Sequence, residues 1–167
     1  MKHEILTDRL KLKIVEKSDA EIIHRLRTNA EVSKFIRRDL NKSLTDIENF
    51  IVERSKTDLF FSINTIEKNE LVGTIAIWKI NYDKNYAELG YELFPEFQNK
   101  GIMTNAITGI LDYAFNVLNF KTIEAFTNKE NQNSRKLLEK LGFCLIENKI
   151  DEKNLNNVIY QINKACR

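Results

Sequence analysis

Residues 86–118 read YAELGYELFPEFQNKGIMTNAITGILDYAFNVL, and within this stretch the sequence passes from a strand pattern to a helix pattern. Apolar and polar side chains alternate over 86–94, which predicts a half-buried β-strand. Pro95 ends that strand because proline cannot donate a ladder hydrogen bond. Apolar residues then recur at helical spacing over about 100–118. The stretch therefore predicts a strand, a turn that contains Gly101, and a long amphipathic helix.

Strand and helix patterns continue on both sides of this joint. Strand patterns occur at 8–14, 59–66, 71–78, 122–127, 143–149 and 157–163. Helical spacing over 132–141 predicts a short helix, and two candidate capping boxes predict earlier helix starts. These boxes pair Ser18 with Glu21 and Thr45 with Glu48. Strands interleaved with helices favour an α/β layer arrangement with a mixed sheet.

Length and composition limit the class of protein. The 167 residues suit one domain that spans 1–167. The 26 basic and 24 acidic residues nearly cancel, which gives no electrostatic footprint for nucleic acid. No segment approaches the roughly 20 apolar residues of a membrane span, and the N-terminus lacks the apolar core of a signal peptide. We expect no nucleic-acid or membrane partner, and a cytoplasmic location.

Cysteine and histidine give no sign of a metal site or a disulfide framework. The cysteines are Cys144 and Cys166, the histidines are His3 and His24, and none of them stands at metal-ligand spacing. Two reduced thiols in a reducing compartment are the simplest interpretation of the cysteines. The sequence therefore predicts no metal.

The turn at 98–104, QNKGIMT, has features that suit a phosphate ligand. A helix N-terminus presents unpaired backbone N–H groups and partial positive charge, and both stabilise a phosphate or pyrophosphate. Gly101 lets the backbone approach such a ligand closely, and Lys100 adds a cation. The turn is neither a P-loop nor a GxGxxG fingerprint, which argues against a nucleoside triphosphate or NAD. A purely structural glycine is the alternative interpretation.

A second informative segment lies at 131–143, NQNSRKLLEKLGF. Asn131 suits the N-cap of a short helix, and Gly142 suits the position just past its end. The predicted apolar side of this helix holds Leu137, Leu138 and Leu141. Taken by itself, the segment predicts an ordinary capped helix.

Together the two segments resemble motifs A and B of the GCN5-related N-acetyltransferase (GNAT) superfamily. In that superfamily a Gln/Arg-x-x-Gly-x-Gly/Ala turn binds the pyrophosphate of coenzyme A, and an Asn-x-x-Ala/Ser helix that ends near Lys-x-Gly-Phe follows. The residues in register are Gln98, Gly101, Asn131, Ser134, Lys140, Gly142 and Phe143. The opening LTDRL at 6–10 and the LGYEL at 89–93 also look like the RimJ/RimL-like branch, which acetylates the N-termini of ribosomal proteins.

The resemblance implies the GNAT fold, with a mixed, mostly antiparallel sheet of about seven strands flanked by helices. The strand ending at Phe94 and the strand beginning near Thr122 are expected to splay apart, and acetyl-CoA is expected to place its pantetheine arm in the gap. The implied cofactor-binding residues are Leu93, Phe94, Gln98, Asn99, Lys100, Gly101, Ile102, Met103, Thr104, Asn131 and Ser134. Met103 stands where the superfamily favours a small residue. It also belongs to the apolar stripe of the helix, so its side chain is expected to point into the core and leave its backbone N–H for the phosphates.

Acetyl transfer to an amine requires that the amine lose its proton. Glu88 and Glu92 project from one face of their strand, about 13 Å apart, so they cannot act as a close pair. One of them is predicted to serve as the base through a water molecule, with Glu92 favoured because it lies nearer the splay point. Glu124 is a third candidate. The alternative for each glutamate is a surface position with no catalytic role.

The leaving thiolate benefits from an acid. Many members of the superfamily carry a tyrosine four residues after the Ala/Ser position of motif B, but here that residue is Leu138, which cannot donate a proton. The RimJ/RimL-like branch uses the serine of the motif, so the resemblance implies Ser134 as the acid, with Asn131 orienting it or the cofactor arm. Direct transfer without an acetyl-enzyme is expected, because neither cysteine has a histidine partner or an electropositive environment that the sequence shows.

The resemblance favours the α-amine of a protein N-terminus as the acceptor, whose reference pKa near 7.7–8.0 makes deprotonation easy. Two alternatives stay open: a small amine such as a polyamine, amino acid or aminosugar, and a coenzyme A-binding sensor without turnover. An acceptor mouth could include Lys34, Arg37, Arg38 and Asp39, although a solvated surface is the simpler interpretation. The sequence does not choose between a monomer and a homodimer.

Overall fold

The structure is a computed structural model that describes residues 4–166. Within this range the strands are β1 Glu4–Leu6, β2 Leu10–Ile14, β3 Leu59–Thr65, β4 Leu71–Asn81, β5 Tyr86–Leu93, β6 Thr122–Asn128, β7 Cys144–Leu145 and β8 Asn157–Asn163. The α-helices in the same range are α1 Ala20–Thr28, α2 Leu44–Thr57, α3 Ile102–Asn116 and α4 Gln132–Lys140. Short 3₁₀ turns occur at Lys17–Asp19, Pro95–Phe97 and Lys164–Cys166. His3 and the side chain of Cys166 lie outside what the structure describes.

All eight strands of the described chain belong to one sheet, in the order β1-β2-β3-β4-β5-β6-β8-β7. Neighbouring strands are antiparallel except β5 and β6, which run parallel. The predicted mixed, mostly antiparallel sheet is confirmed. The expected count of about seven strands was one short, because β1 has three residues and is too short to display a period of two.

Helices cover both faces of this sheet. The adjacent β3 residues Phe60 and Phe61 are both buried, and side chains of successive strand residues point to opposite faces. Phe61 packs in the main core with Ile107 of α3, whereas Phe60 packs in a smaller core with Ile23 of α1 and Ile51 of α2. The sheet therefore lies between α3 on one face and the α1–α2 pair on the other.

The start of α4 lies where the sequence predicted it, whereas the two predicted capping boxes lie elsewhere. Asn131 is the N-cap of α4 as predicted, and Gly142 past its end has a φ of 89°. Both predicted boxes were wrong by two residues, since the reciprocal pairs are Glu16 with Asp19 and Ser43 with Asp46. In each case aspartate closes the box, a residue that the Glu/Gln pattern does not include.

The parallel strands β5 and β6 separate part of the way along their length. Their paired register runs from Tyr86 with Thr122 to Leu89 with Ala125 and then stops. Both strands continue past that point, and β5 stays paired to β4 as far as Leu93. The predicted splay is confirmed, and it leaves the far end of β5 with an open backbone edge.

Candidate active site

A tight turn connects the open end of β5 to α3. Asn99 and Gly101 both have positive φ angles, 59° and 75°, so the chain reverses through the left-handed region twice before the helix begins. Gly101 is the N-cap of α3 and has no side chain to cap the helix. The backbone N–H groups of the first turn of α3 are therefore left for water or a ligand, at the positive end of the helix dipole.

Two long side chains donate hydrogen bonds to backbone carbonyls and hold this turn in place. Gln98 Nε2 donates to the carbonyl of Leu93 at 3.1 Å, which ties the turn to the end of β5. Arg9 Nη1 donates to the carbonyl of Lys100 at 3.1 Å. The same atom lies 3.3 Å from where a Cβ would stand on Gly101, so glycine is favoured there both by conformation and by space. Sequence reasoning did not anticipate Arg9, because it lies far from the turn along the chain.

Met103 adopts the orientation that the turn requires. Its side chain is 8% exposed and belongs to the main core. The core therefore accommodates a residue larger than glycine or alanine at this position. The expectation for Met103 is confirmed.

A hydrogen-bonded pair of hydroxyl groups lies opposite the turn. The side-chain oxygen of Asn131 accepts from the backbone N–H of Ser134 at 3.1 Å and so caps α4. Ser134 Oγ lies 2.8 Å from the hydroxyl of Tyr91, which comes from β5. Burial raises the pKa of Tyr91 to about 12, against the opposing effect of the Ser134 hydrogen bond, so the phenol keeps its proton at neutral pH.

A cleft of about 610 Å³ lies between the turn, α4 and the chain that connects α1 to α2. Ten of the predicted site residues line it: Glu92, Leu93, Gln98, Asn99, Gly101, Ile102, Met103, Thr104, Asn131 and Ser134. Three do not line it: Glu88, Phe94 and Lys100. Phe94 is buried with its N–H bound to the carbonyl of Val72, and Lys100 is exposed beside the ring of Phe97.

The cleft has two walls, which are formed by different parts of the chain. We call residues 98–104 and 131–140 the helical wall, because they form the N-terminus of α3 and the whole of α4. Residues 29–43 connect α1 to α2, and we call them the connection wall. Sequence reasoning missed three helical-wall residues that carry polar groups, Asn133, Lys136 and Lys140. Their spacing of three and four places them on one face of α4, which is a signal that the sequence did contain.

The connection wall contributes five residues to the cleft, of which only Lys34 was named from the sequence. Those lining the cleft are Glu31, Val32, Lys34, Phe35 and Ile36. Of the proposed acceptor-mouth residues, Lys34 lines the cleft, and Arg38 does not line it but binds Glu92, which does. Arg37 and Asp39 do not line the cleft. An irregular segment has no period from which its inward-facing side chains could be read.

Glu92 is held by two arginines. Arg38 donates from Nη1 to Oε2 at 2.7 Å and from Nη2 to Oε1 at 2.6 Å, and Arg27 Nη1 donates to Oε1 at 3.2 Å. The Glu92 side chain is 11% exposed. Burial lowers the pKa of Arg27 to about 10, partly offset by the charge of Glu92, so the guanidinium still carries its proton at neutral pH. We call Arg27, Glu92 and Arg38 the arginine clamp.

Glu88 and Glu124 form a separate buried cluster away from the cleft. They face each other in the β5–β6 register, and both are about 5% exposed. The Tyr86 hydroxyl lies 3.2 Å from Glu88 and 2.7 Å from Glu124, while Lys79 forms an ion pair with Glu88 at 2.9 Å. Burial and the two carboxylates raise the pKa of Tyr86, so it stays a hydrogen-bond donor.

Other chemical groups give no second site. Within residues 4–166, no three His, Cys, Asp or Glu side chains are grouped so that they could hold a metal ion. Cys144 is an exposed free thiol that does not line the cleft, and His24 Nε2 lies 2.7 Å from the carbonyl of Lys42. Across the part of the chain that the structure describes, no helix has the length and apolar character to cross a membrane.

Known acetyltransferases are similar to this chain over most of its length. The N-acetyltransferase YoaA of Bacillus subtilis is 30% identical over 142 residues, which cover 82% of this chain and 80% of that protein. A spermidine N(1)-acetyltransferase of Vibrio cholerae is 27% identical over 153 residues, covering 90% of this chain and 88% of that protein.

Solved structures share the whole fold. An acetyltransferase of the GNAT family from Bacillus anthracis superposes with a TM-score of 0.82 at 26% identity, covering 97% of this chain and 99% of that one. Spermidine N-acetyltransferase from Vibrio cholerae, in complex with CoA and spermine, gives 0.84 at 23%, covering 96% and 98%. The ribosomal-protein-S5-alanine acetyltransferase of Vibrio fischeri gives 0.82 at 20%, covering 98% of each chain.

The family assignment rests on sequence as well as on shape. The family described as Acetyltransferase (GNAT) domain matches residues 9–144, well over half of the chain. That match contains the splayed strands, the turn before α3 and the whole of α4. The chain therefore belongs to the GNAT family of acetyltransferases.

Proposed function

We propose that this N-acetyltransferase moves the acetyl group of acetyl-CoA directly onto the α-amine of a protein N-terminus. The observation that carries the acetyl-CoA part of the proposal is the splay of β5 and β6, which leaves an open strand edge near the turn before α3 and the Ser134–Tyr91 hydroxyl pair. An extended thioester arm along that edge would put its carbonyl beside both hydroxyls.

The helical wall supplies the cofactor site in this proposal. The free N–H groups at the start of α3 would hold the pyrophosphate, with Gly101 allowing close approach. The open edge of β5 near Leu93 would pair with the amides of the pantetheine arm, as an added strand does. Lys136 and Lys140 on α4 place positive charge where an anionic cofactor needs it.

The hydroxyl pair supplies the acid in this proposal. Ser134 would protonate the leaving thiolate, and Tyr91 would replace the proton on Ser134 through the 2.8 Å hydrogen bond. The relay requires a protonated phenol, which Tyr91 is at neutral pH, while its raised pKa makes it a weaker acid than an exposed tyrosine. Asn131 fixes the start of α4 and thereby the position of Ser134.

Charge on the acceptor side favours an α-amine over a polyamine. The carboxylates that line the cleft within residues 4–166 are Glu31 and Glu92, and Glu92 is already neutralised by two guanidinium groups. Lys34 adds a further cation to the connection wall. A polycation would meet net positive charge there, whereas a peptide N-terminus brings one ammonium group.

The runner-up is a small amine such as a polyamine, amino acid or aminosugar. It is supported by the similarity to a spermidine N(1)-acetyltransferase. A coenzyme A-binding sensor without turnover is a third candidate, which would use the helical wall alone. A cytoplasmic location, a single domain over 1–167, and a monomer or homodimer all stay predictions.

Thiol release from acetyl-CoA tests the proposal directly. The panel contains short peptides with free N-termini, polyamines and aminosugars, and matched peptides with blocked N-termini serve as controls. We expect release with free peptides that disappears when the N-terminus is blocked. Release with a polyamine or aminosugar alone would instead support the runner-up. No release, with acetyl-CoA still bound in calorimetry, would support the sensor.

A further inference from the structure

The arginine clamp leaves Glu92 poorly placed to act as a base. Both carboxylate oxygens accept charged hydrogen bonds, three in all, at 2.6, 2.7 and 3.2 Å. Bidentate guanidinium–carboxylate pairs are among the stronger hydrogen bonds in proteins. If Glu92 accepted a proton, Arg27 and Arg38 would face each other without a compensating negative charge, because both are largely buried.

Within residues 4–166, the other titratable groups that line the cleft are three lysines, one tyrosine and one exposed glutamate. From the connection wall, Glu31 is solvent-exposed and Lys34 is a cation; from the helical wall, Lys136 and Lys140 are cations. Tyr91 on β5 keeps its proton at neutral pH, because its pKa is raised.

Arg54 of α2 lies behind the clamp and is itself paired with Asp58 at 2.7 Å. Its guanidinium lies over one face of the Phe50 ring, at 5.4 Å from the centroid, and that of Arg27 lies 4.0 Å from the same centroid. The groups that contact the Glu92 carboxylate are therefore cations, which hold it in a hydrogen-bonded network.

We infer that Glu92 is a positioning residue that fastens the connection wall to β5, and that the enzyme acetylates only amines already partly unprotonated at neutral pH. The inference rests on the proposed function and adds a limit on the acceptor. Arg38 belongs to the connection wall, Arg27 to α1 and Glu92 to β5, so the clamp joins three parts of the chain around the acceptor side.

The reaction balances without an enzyme base. The acceptor ammonium first loses one proton to solvent, and the neutral nitrogen then attacks the thioester carbonyl carbon. A C–N bond forms and the C–S bond breaks, with the electron pair leaving on sulfur. The Ser134–Tyr91 relay gives a proton to sulfur. The nitrogen then loses its second proton, which returns through water to the relay. The transfer step therefore neither takes up nor releases a proton.

This limit separates classes of amine by their basicity. An α-amine with a pKa near 7.7–8.0 is roughly 300-fold richer in the neutral form at pH 7 than a lysine-like amine with a pKa near 10.4. Polyamines resemble lysine in this respect. The same enzyme would therefore discriminate strongly between the two classes without any contact that recognises the rest of the acceptor.

The test compares two forms of one peptide with the unmodified enzyme. One form has a free α-amine and no lysine, and the other has a blocked N-terminus and one lysine. We expect kcat/KM for the first to rise about tenfold per pH unit and level off near pH 8, which is its own pKa. For the second, kcat/KM should keep rising to the highest pH at which the enzyme stays folded, and at pH 7 it should be lower by roughly 300-fold.

A base on the enzyme would give a different pattern. Both profiles would then level off at one common pH, set by the enzyme, and that result would overturn the inference while leaving the proposed function intact. Absence of thiol release with either peptide would instead remove the proposed function, so the two failures are distinguishable.

Variants provide a second arm. Glu92→Gln should lower kcat/KM for the α-amine peptide by less than about tenfold and leave the levelling pH unchanged, whereas loss of a general base costs about 10²–10⁴-fold. Arg38→Gln should raise the KM for the peptide more than it lowers kcat. Arg37→Gln is the matched control, because Arg37 is an exposed neighbour that does not line the cleft. A Glu92→Gln enzyme that is folded by circular dichroism but slower by more than about 100-fold would contradict the positioning role.

Discussion

The helical wall and the connection wall enclose the same cleft, but they are stabilised in different ways. In the helical wall, Asn131 caps α4 three residues before Ser134, and Gln98 binds Leu93 five residues away. In the connection wall, Arg38 binds a carboxylate 54 positions away, and Arg27 reaches the same group across 65 positions. The helical wall is held mainly by local contacts, although Arg9 reaches Lys100 across 91 positions. The connection wall has local turn contacts, such as the Glu31 N–H to Asn29 Oδ1, and the clamp adds distant ones.

This difference has a functional consequence. In the proposed function, a backbone turn and a capped helix bind the cofactor, and such a site depends on few side chains. An acceptor requires a wall that is specific to the protein. We therefore expect changes in the helical wall to affect cofactor binding or chemistry, and changes in the arginine clamp to affect folding and the acceptor.

The largest expected effect is on the clamp. Glu92→Ala leaves two guanidinium groups close together and largely buried, so we expect the free energy of unfolding to fall by about 3 kcal/mol. Urea denaturation measures this change. The control is Glu53→Ala, which removes an exposed ion pair with Lys56 and should change stability by less than about 1 kcal/mol. Equal effects from the two variants would show that the clamp does not stabilise the fold.

The next effect is on turnover from the helical wall. Ser134→Ala should lower kcat by about 100-fold, because a positioned acid typically contributes at least that much. The affinity for acetyl-CoA, measured by calorimetry, should stay nearly unchanged. Ser55→Ala removes an exposed serine of α2 and should keep wild-type turnover. Unchanged turnover in Ser134→Ala would remove the serine from the mechanism.

Tyr91 lies between the two walls, and its raised pKa predicts that the folded protein loses stability at alkaline pH. Its pKa is about 12 in the folded state and near 10 in the unfolded chain, so folding favours the protonated phenol. This contribution is complete below about pH 10 and is lost as the pH rises towards about 12. Between about pH 9 and about pH 11, the wild type should lose about 1–2 kcal/mol more unfolding free energy than Tyr91→Phe.

Urea denaturation at the two pH values measures this loss. The control is Tyr82→Phe, since Tyr82 is 64% exposed. If the Tyr91→Phe and wild-type proteins lose stability in parallel, burial of the phenol is not the cause.

The smallest effect concerns the turn before α3. Gly101→Ala places a Cβ on a residue with a φ of 75°, which costs about 1–2 kcal/mol, and brings it 3.3 Å from Arg9. We expect acetyl-CoA to bind roughly tenfold more weakly in calorimetry, with acceptor KM unaffected. Gly90→Ala on β5 would meet the Trp78 ring at an ordinary 3.9 Å and should keep cofactor affinity. Wild-type affinity in Gly101→Ala would show that this turn does not bind the cofactor.

Sequence periodicity predicted most of the secondary structure. The β3–β4 hairpin, β5, α3, β6 and α4 all lie within a few residues of the predicted positions. These elements are long enough to show a period of two or of 3.6 residues, and their buried faces repeat it. The misses were short elements: β1 with three residues, and β7, which keeps two residues of the predicted 143–149.

The candidate site was predicted unevenly, for a related reason. The turn and the α4 start could be located from the sequence because both motifs are local, and all their predicted residues except Lys100 line the cleft. Glu88 was predicted to share a face with Glu92, and it does, but the pairing of β6 with β5 up to Leu89 buries it beside Glu124. Where the two strands separate decides which glutamate reaches the cleft, and no pattern in one strand contains that point.

The sequence by itself determined the order of elements, the left-handed turn at Gly101 and the capped start of α4, because each depends on residues close together in the chain. The tertiary structure alone decided where β5 and β6 part, that Tyr91 meets Ser134, and that Arg27 and Arg38 converge on Glu92. Each of these needs two or more elements packed together, and the side-chain contacts that result depend on their relative position in space.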